Sequence, residues 1–394
     1  MNLRDCMARF CEQPRTAGTA FNRKVRDFIK RDLLKAGYKV RLDTHSFTGW
    51  ELIKEPAVEF IAPVRRKVDC ISVVRSGSTG GRTLKGRVVP FFRAMQTFEA
   101  YDFQRFTVAD DHGKAIAILM TRPDMVWAQP IDRPGDHLPH IMVDTKACAQ
   151  INHWIATNKE IRLRFSVNCR DSKRRRITNV EARGPQGALG LLLSAHYDSF
   201  FNTVGAHDNA SGSVCLLQLA KRLRSKLAIA PTVCFFDAEE WNKFGAYSYV
   251  KRRMNKGTLS RTTLQINIDS VGVPGRLCLL TSPRIEKVIA ALVRGLPATC
   301  GMEVEIAAAE SFPQFDTWPF MREGISVIQI GSRPSTPFKH WHSKGDTLAN
   351  IDYDFMAKVL EFLEAFVVAV RGTALLNRQD AATAHGEGLL RTSF

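Results

Sequence analysis

The chain has 394 residues, enough for one large α/β domain and a smaller companion, and its 45% hydrophobic content supports a packed core rather than a disordered chain. Its formal net charge of +17 would suit an anionic partner, but the basic runs Arg65-Arg66-Lys67, Lys173-Arg174-Arg175-Arg176, Lys221-Arg222 and Lys251-Arg252-Arg253 are scattered and carry no interleaved aromatics. They read as solvated faces, which argues against a specific nucleic-acid partner, and no apolar stretch reaches the length of a membrane span because Glu361 and Glu364 interrupt the best one.

Residues 19 to 36 read as an amphipathic helix, with Phe21, Val25, Phe28, Ile29 and Leu33 on one stripe and Gly37 as its stop. From 55 to 170 the character changes to short β-rich runs, such as Ile71-Ser72-Val73-Val74 and Ala115-Ile116-Ala117-Ile118-Leu119, set between Gly, Asp and Pro. That stretch is expected to be an inserted domain. Beyond 171 strands and helices alternate, the sign of a largely parallel sheet. Strands are expected near 189–195, 232–237, 263–269, 276–281 and 325–331, with helices near 210–225, 243–255, 284–296 and 352–372. The last helix is striped by Phe355, Val359, Phe362, Leu363 and Phe366. Residues 1–54 and 171–376 are therefore expected to form one α/β domain around a mostly parallel sheet, 55–170 a β-rich insert, and the polar, Ala/Gly-rich 377–394 a loose tail. Nine cysteines without CxxC spacing, three of them (Cys215, Cys234, Cys278) within apolar runs, are expected to be reduced. With no apolar signal core in Met1-Asn2-Leu3-Arg4-Asp5, the expected location is the cytoplasm.

Five segments carry the chemistry. Ser194-Ala195-His196-Tyr197-Asp198 follows an apolar strand, and Gly205-Ala206-His207-Asp208-Asn209 comes soon after. Glu239-Glu240 follow the next apolar run, Asp269 ends another, and His342 sits in Trp341-His342-Ser343-Lys344-Gly345-Asp346. Open parallel sheets gather functional groups beyond the carboxyl ends of their strands, so groups this far apart in sequence can converge. Imidazole with carboxylate, and no thiolate, is the donor set of a catalytic rather than a structural zinc. Five candidate ligands, His196, Asp208, Glu240, Asp269 and His342, exceed the needs of one catalytic zinc and suit two ions sharing a carboxylate, about 3.5–4 Å apart. Glu239 is then left to act as a base. His207 and His340 are read as non-ligands.

At these residues the chain resembles the co-catalytic di-zinc exopeptidases, the family of bacterial leucyl aminopeptidase, aminopeptidase Y and glutamate carboxypeptidase. The resemblance runs from about 175 to 372 and implies a three-layer α/β fold. It also implies that His196 and Asp269 bind one zinc, that Glu240 and His342 bind the other, and that Asp208 bridges them. Glu239 would serve as general base and Asp198 as the acid that orients His196, and the peptide bond after Asp208 is expected to be cis. The insert 55–170 is similar to a protease-associated domain, with a plain lid or dimer surface as the alternative.

The activity that the resemblance implies is hydrolysis of an amino-terminal peptide bond, with a peptide as substrate. Substrate contacts are expected from Asp316 and Trp318 in Phe315-Asp316-Thr317-Trp318-Pro319-Phe320, where relatives carry an Asp followed by His or Tyr. Three rivals stay open: a single-zinc glutaminyl cyclase using the same fold, a metal-free receptor-like module on it, and a polyanion binder driven by charge. The oligomeric state is not legible.

Overall fold

Three short runs that are buried at every position, Leu191–His196, Thr232–Phe236 and Leu264–Ile268, make the centre of a sheet. Strands covered on both faces read as continuous apolar stretches rather than alternating ones, and these do. The structure is a computed structural model that describes residues 2–89, 96–98, 101–121, 137–184, 190–201, 203–227, 230–296 and 301–376. The tail expected over 377–394 lies outside the described residues. The chain divides into two compact units, one from Met1–His45, Arg176–Phe338 and the described part of the segment beginning at Asp346, the other from Ser46–Arg175 with Lys339–Gly345.

In the first unit the strands lie in the order Val304–Ala308, Arg276–Thr281, Ser326–Arg333, Leu264–Ile268, Leu191–His196, Thr232–Phe236 and the end of Arg162–Arg183. The four central neighbours are parallel, while Arg276–Thr281 runs antiparallel to Ser326–Arg333 and Arg162–Arg183 antiparallel to Thr232–Phe236. This is the α/β architecture with a mostly parallel sheet that the strand and helix alternation predicts. Leu191, Leu193 and Ala195 point into one apolar layer with the helices Leu3–Phe10, Ala20–Lys35, Gly212–Lys226 and Tyr353–Arg371. Leu192, Cys234 and Phe236 point into the opposite layer, with Tyr249 and Val250 of Phe244–Asn255 and with Phe320.

Local chemistry sets the helix ends. Thr19 accepts from the backbone N–H of Asn22 to open Ala20–Lys35, and Gly37 beyond it takes φ +81°. Asp352 accepts from the N–H groups of Asp354 and Phe355 to open Tyr353–Arg371. The strand Val304–Ala308 and the helix Leu3–Phe10 are additions to the elements expected from sequence. The first is half-buried over Val304 to Ala307 and exposed at Ala308, and gives no continuous apolar run. The second is only eight residues long, short for its period to register.

The second unit is mainly antiparallel, with Leu84–Val89 paired to Tyr101–Ala109 and that strand to Ala115–Thr121, while His140–Val143 pairs in parallel with Ala115–Thr121. Val73, Met120 and Met142 form a small apolar cluster with Trp341 packed against it. It also contains a helix, Thr145–Ala156, capped by the Asp144 carboxylate, within the stretch read from sequence as β-rich. No helix among the described residues is long and apolar enough to cross a membrane.

Candidate metal centre

The strand Leu191–His196 is flanked on one side by the next strand in the chain, Thr232–Phe236, and on the other by the one after, Leu264–Ile268. The connections therefore leave its carboxyl end in opposite directions, which opens a crevice at that point. His196 is the last residue of the central strand, Asp269 follows the last residue of one neighbour, and Glu239 and Glu240 lie in the turn after the other. Asp208 arrives on an irregular turn, Ala206–Ser211, before the helix Gly212–Lys226.

His196, Asp208 and Asp269 converge, each offering a donor atom within 4.8 Å of the others. His196 Nε2 lies 3.2 Å from Asp208 Oδ1 and 3.6 Å from Asp269 Oδ1. Both imidazole nitrogens are buried and neither makes a well-formed hydrogen bond. Tetrahedral zinc ligands at about 2.0–2.2 Å from the ion stand about 3.4 Å from one another, so the donor set and its spacing fit that ion. Asp208 also lies within 4.8 Å, donor to donor, of Glu240. His342 is half-buried with φ +50° on Lys339–Gly345, a segment that belongs to the second unit.

The surroundings hold these groups in place. Asp198 accepts from the backbone N–H of Glu239 at 3.0 Å and of Glu240 at 3.3 Å, and its Oδ1 is 3.4 Å from His196 Nδ1. One buried carboxylate thus faces the imidazole and fixes the acidic turn. Asp346 accepts from the N–H of His207 at 2.8 Å and of Asp208 at 3.0 Å. The Asp208–Asn209 peptide bond is cis. The Asn209 side chain donates to Ile268 O and accepts from the N–H of Gly212 and Ser270, tying the turn to the strand that precedes Asp269. Arg15, fully buried, donates to the carbonyls of Phe10, Tyr197, Val204 and Gly205. Sequence patterning assigns no role to Arg15 or Asp346. An isolated Arg in a loop carries no spacing signal, and Asp346 acts through backbone amides.

Burial alone would push the His196 imidazolium down, yet Asp269, Asp198 and Asp208 outweigh it and hold the group well above its ordinary value. A field that retains a proton there is one that a divalent cation relieves. Burial pushes the Glu239 carboxyl well up, helped by Asp316 and Glu240 and opposed by His196. Asp316, buried with neither carboxylate oxygen hydrogen-bonded, is raised to about 8 by burial, with His196 opposing and Asp198 and Asp269 adding to the rise. Trp318 is half-buried, whereas Phe320 packs in the core against Phe236 and Tyr249. His207 is buried with Nδ1 accepting from the Gly272 N–H, and burial lowers it to about 4.

Residues 179–367 match Peptidase family M28. Among curated proteins, Leucine aminopeptidase 2 of Trichophyton equinum is 27% identical over 199 residues, covering 44% of this chain and 40% of that one. A Vacuolar membrane protease of Paracoccidioides brasiliensis is 33% identical over 105 residues, 26% of this chain and 10% of its own length. The chain thus spans less than half the length of these relatives. Solved structures extend the likeness of fold over nearly the whole chain. A Peptidase M28 precursor from Shewanella amazonensis superposes with a TM-score of 0.74 at 18% identity, covering 95% of this chain and 92% of that one. BSAP, a zinc aminopeptidase from Bacillus subtilis, gives 0.68 at 16% identity, covering 94% of each.

Proposed function

On the premise that residues 179–367 are a Peptidase family M28 segment, we propose that the chain is a zinc-dependent aminopeptidase that removes the amino-terminal residue of a peptide. The observation that carries this reading is the His196–Asp208–Asp269 cluster at the crevice of the sheet, with Glu239 and Glu240 on the turn beside it. His196 and Asp269 would hold one zinc and Glu240 and His342 the second, with Asp208 shared between them. When bound, zinc supplies a Lewis acid and brings the pKa of water towards neutrality.

The remaining work falls to the chain. Glu239 takes the proton of the attacking water and returns it to the leaving amine, a task suited to a carboxyl whose affinity for protons burial has raised. Asp198 keeps the His196 ring in one orientation and, through the Glu239 and Glu240 amides, fixes the base beside its metal ligand. Asp316 and Trp318 contribute to the pocket for the substrate's first residue, with Trp318 offering the apolar surface. The described cysteines are all free thiols, which suits a reducing compartment such as the cytoplasm.

The test uses leucyl-p-nitroanilide, its N-acetylated form and a Gln-terminated peptide with the zinc-loaded protein. Hydrolysis of the free amine but not of the blocked compound is the expected result. Cyclisation of the Gln peptide without anilide hydrolysis would overturn the reading in favour of a cyclase.

A further inference from the structure

The strand Thr232–Phe236 ends beside the metal centre, and its other end carries a second concentration of charge. There Arg162–Arg183 finishes alongside it, with Ala182 paired to Val233. A cavity of about 120 Å³ opens at this place, where the helix Phe244–Asn255 terminates. Its wall presents Arg41, Arg183, Arg252, Arg253, Lys256 and Arg261. We infer that this cavity is a binding site for a small tetrahedral oxyanion, namely phosphate or the phosphoryl group of a phosphomonoester.

The charge balance is the first argument. Glu181 accepts from Arg183 at 2.5 Å and from Arg253 at 2.7 Å, and Asp43 pairs with Arg252 and lies 3.6 Å from Arg41. Six cations are thus set against two carboxylates. Lys256 and Arg261, exposed at the rim, have no carboxylate partner among the described residues. The negative end of the helix offsets only about half a unit charge. A strong positive field remains, and it adds to the effect of burial: burial, then Arg41 and Arg253, push the Arg252 guanidinium below its ordinary value, and burial, then Arg41, push nearby His45 down.

Shape is the second argument. From sequence, Lys251-Arg252-Arg253 reads as a solvated face, but Arg253 is only 9% exposed and lies against the Tyr249 ring at 4.7 Å. Arg183 and Arg252 are half-buried. Guanidinium groups held at a concave wall lose little freedom on binding, and their planar forks match phosphate oxygens in pairs. A water needs roughly 10–15 Å³ of such space, so the cavity holds an oxyanion with a few waters, and a longer molecule enters by its phosphoryl end alone. The helix between the two sites has 12 residues, about 18 Å, which separates the cavity from the Glu239–Glu240 turn. The oxyanion site stands whether or not the chain is a peptidase.

The experiment is calorimetric titration of the zinc-loaded full chain with inorganic phosphate at constant ionic strength, beside the Lys256→Ala/Arg261→Ala double variant. The expected result is a saturable site weakened about tenfold or more in the variant, the loss of charge-assisted contacts, with anilide hydrolysis in phosphate-free buffer unchanged. Equal binding by both proteins would put the anion at the metal centre or elsewhere and overturn the proposal, as would no binding by the wild type. A phosphoserine peptide is the second arm: tighter binding than phosphate assigns the phosphoryl group to a macromolecule, and equal binding assigns the free ion. Tight, steeply salt-dependent binding of an oligonucleotide without phosphate binding would overturn the site as drawn. On the wild-type chain, phosphate should also protect Arg252 and Arg261 from phenylglyoxal, and unprotected labelling of both counts against the proposal even if the variant fails to fold.

Discussion

A carboxylate one position from a proposed metal ligand has a role that a single oxygen-for-nitrogen exchange isolates. Glu239→Gln keeps the size and the backbone contact with Asp198 but accepts no proton, so kcat should fall by about 10²–10⁴ with metal content unchanged. Loss of zinc in step with activity would make Glu239 a ligand. His342→Ala should release one ion more readily than the other, and equal retention of both would point to His340 as the true ligand. Behind the site, Asp237 accepts from Thr178 N, Tyr197 Oη and Asn22 Nδ2, yet burial and Asp198 raise it to about 7. A carboxyl whose folded value lies above its unfolded one of about 3.9 binds more protons in the fold, so its stabilising contribution falls as pH rises through that interval. Urea unfolding of wild type and Asp237→Asn should therefore show a stability gap that narrows between about pH 4 and pH 7, and a constant or widening gap would contradict this assignment.

At the scale of elements, the turn that carries Asp208 is the demanding piece. Gly205 sits at φ +51°, and a Cβ there would stand 2.1 Å from Asp208 O and 2.9 Å from Ser199 Cβ. Gly205→Ala should cost more than about 1 kcal/mol in chemical denaturation and weaken zinc retention, because relief of the clash moves the Asp208 backbone. Unaltered stability and zinc content would show that the turn is softer than its geometry indicates. The strands around the site were legible because each is a short apolar run closed by an acid or a His: Leu264–Ile268 before Asp269 and Leu191–His196 are seen at once. Helix positions were legible through striping, as in Tyr353–Arg371, and the helix after Asp208 begins near the expected 210, its regular α-helical part running from Gly212 after a turn in which Asp208 and Asn209 take non-helical angles. Thr145–Ala156 was hidden because its buried side chains, Ala147, Cys148, Ile151 and Trp154, form a narrow stripe among residues equally common in strands.

Across the whole molecule, the chain brings His196, Asp208, Glu240 and Asp269 to one end of one sheet, from segments spread over more than seventy residues. That convergence comes from the order of strands, which strand and helix alternation restricts but does not determine. The buried supports Arg15 and Asp346 are the part that sequence did not show, because they act on backbone carbonyls and amides that any residue supplies. If zinc binds the folded chain, its removal should lower the midpoint of thermal unfolding and its return restore it, as mass action requires. The central claim is that two zinc ions, shared through Asp208, serve hydrolysis. The direct measurement is zinc per chain, counted by atomic emission as the chelated protein is reloaded stepwise, with leucyl-p-nitroanilide hydrolysis monitored on the same samples. The account predicts two zinc ions per chain at full activity and loss of both ions in Asp208→Ala, whereas full activity at one zinc, or activity indifferent to zinc, would contradict it.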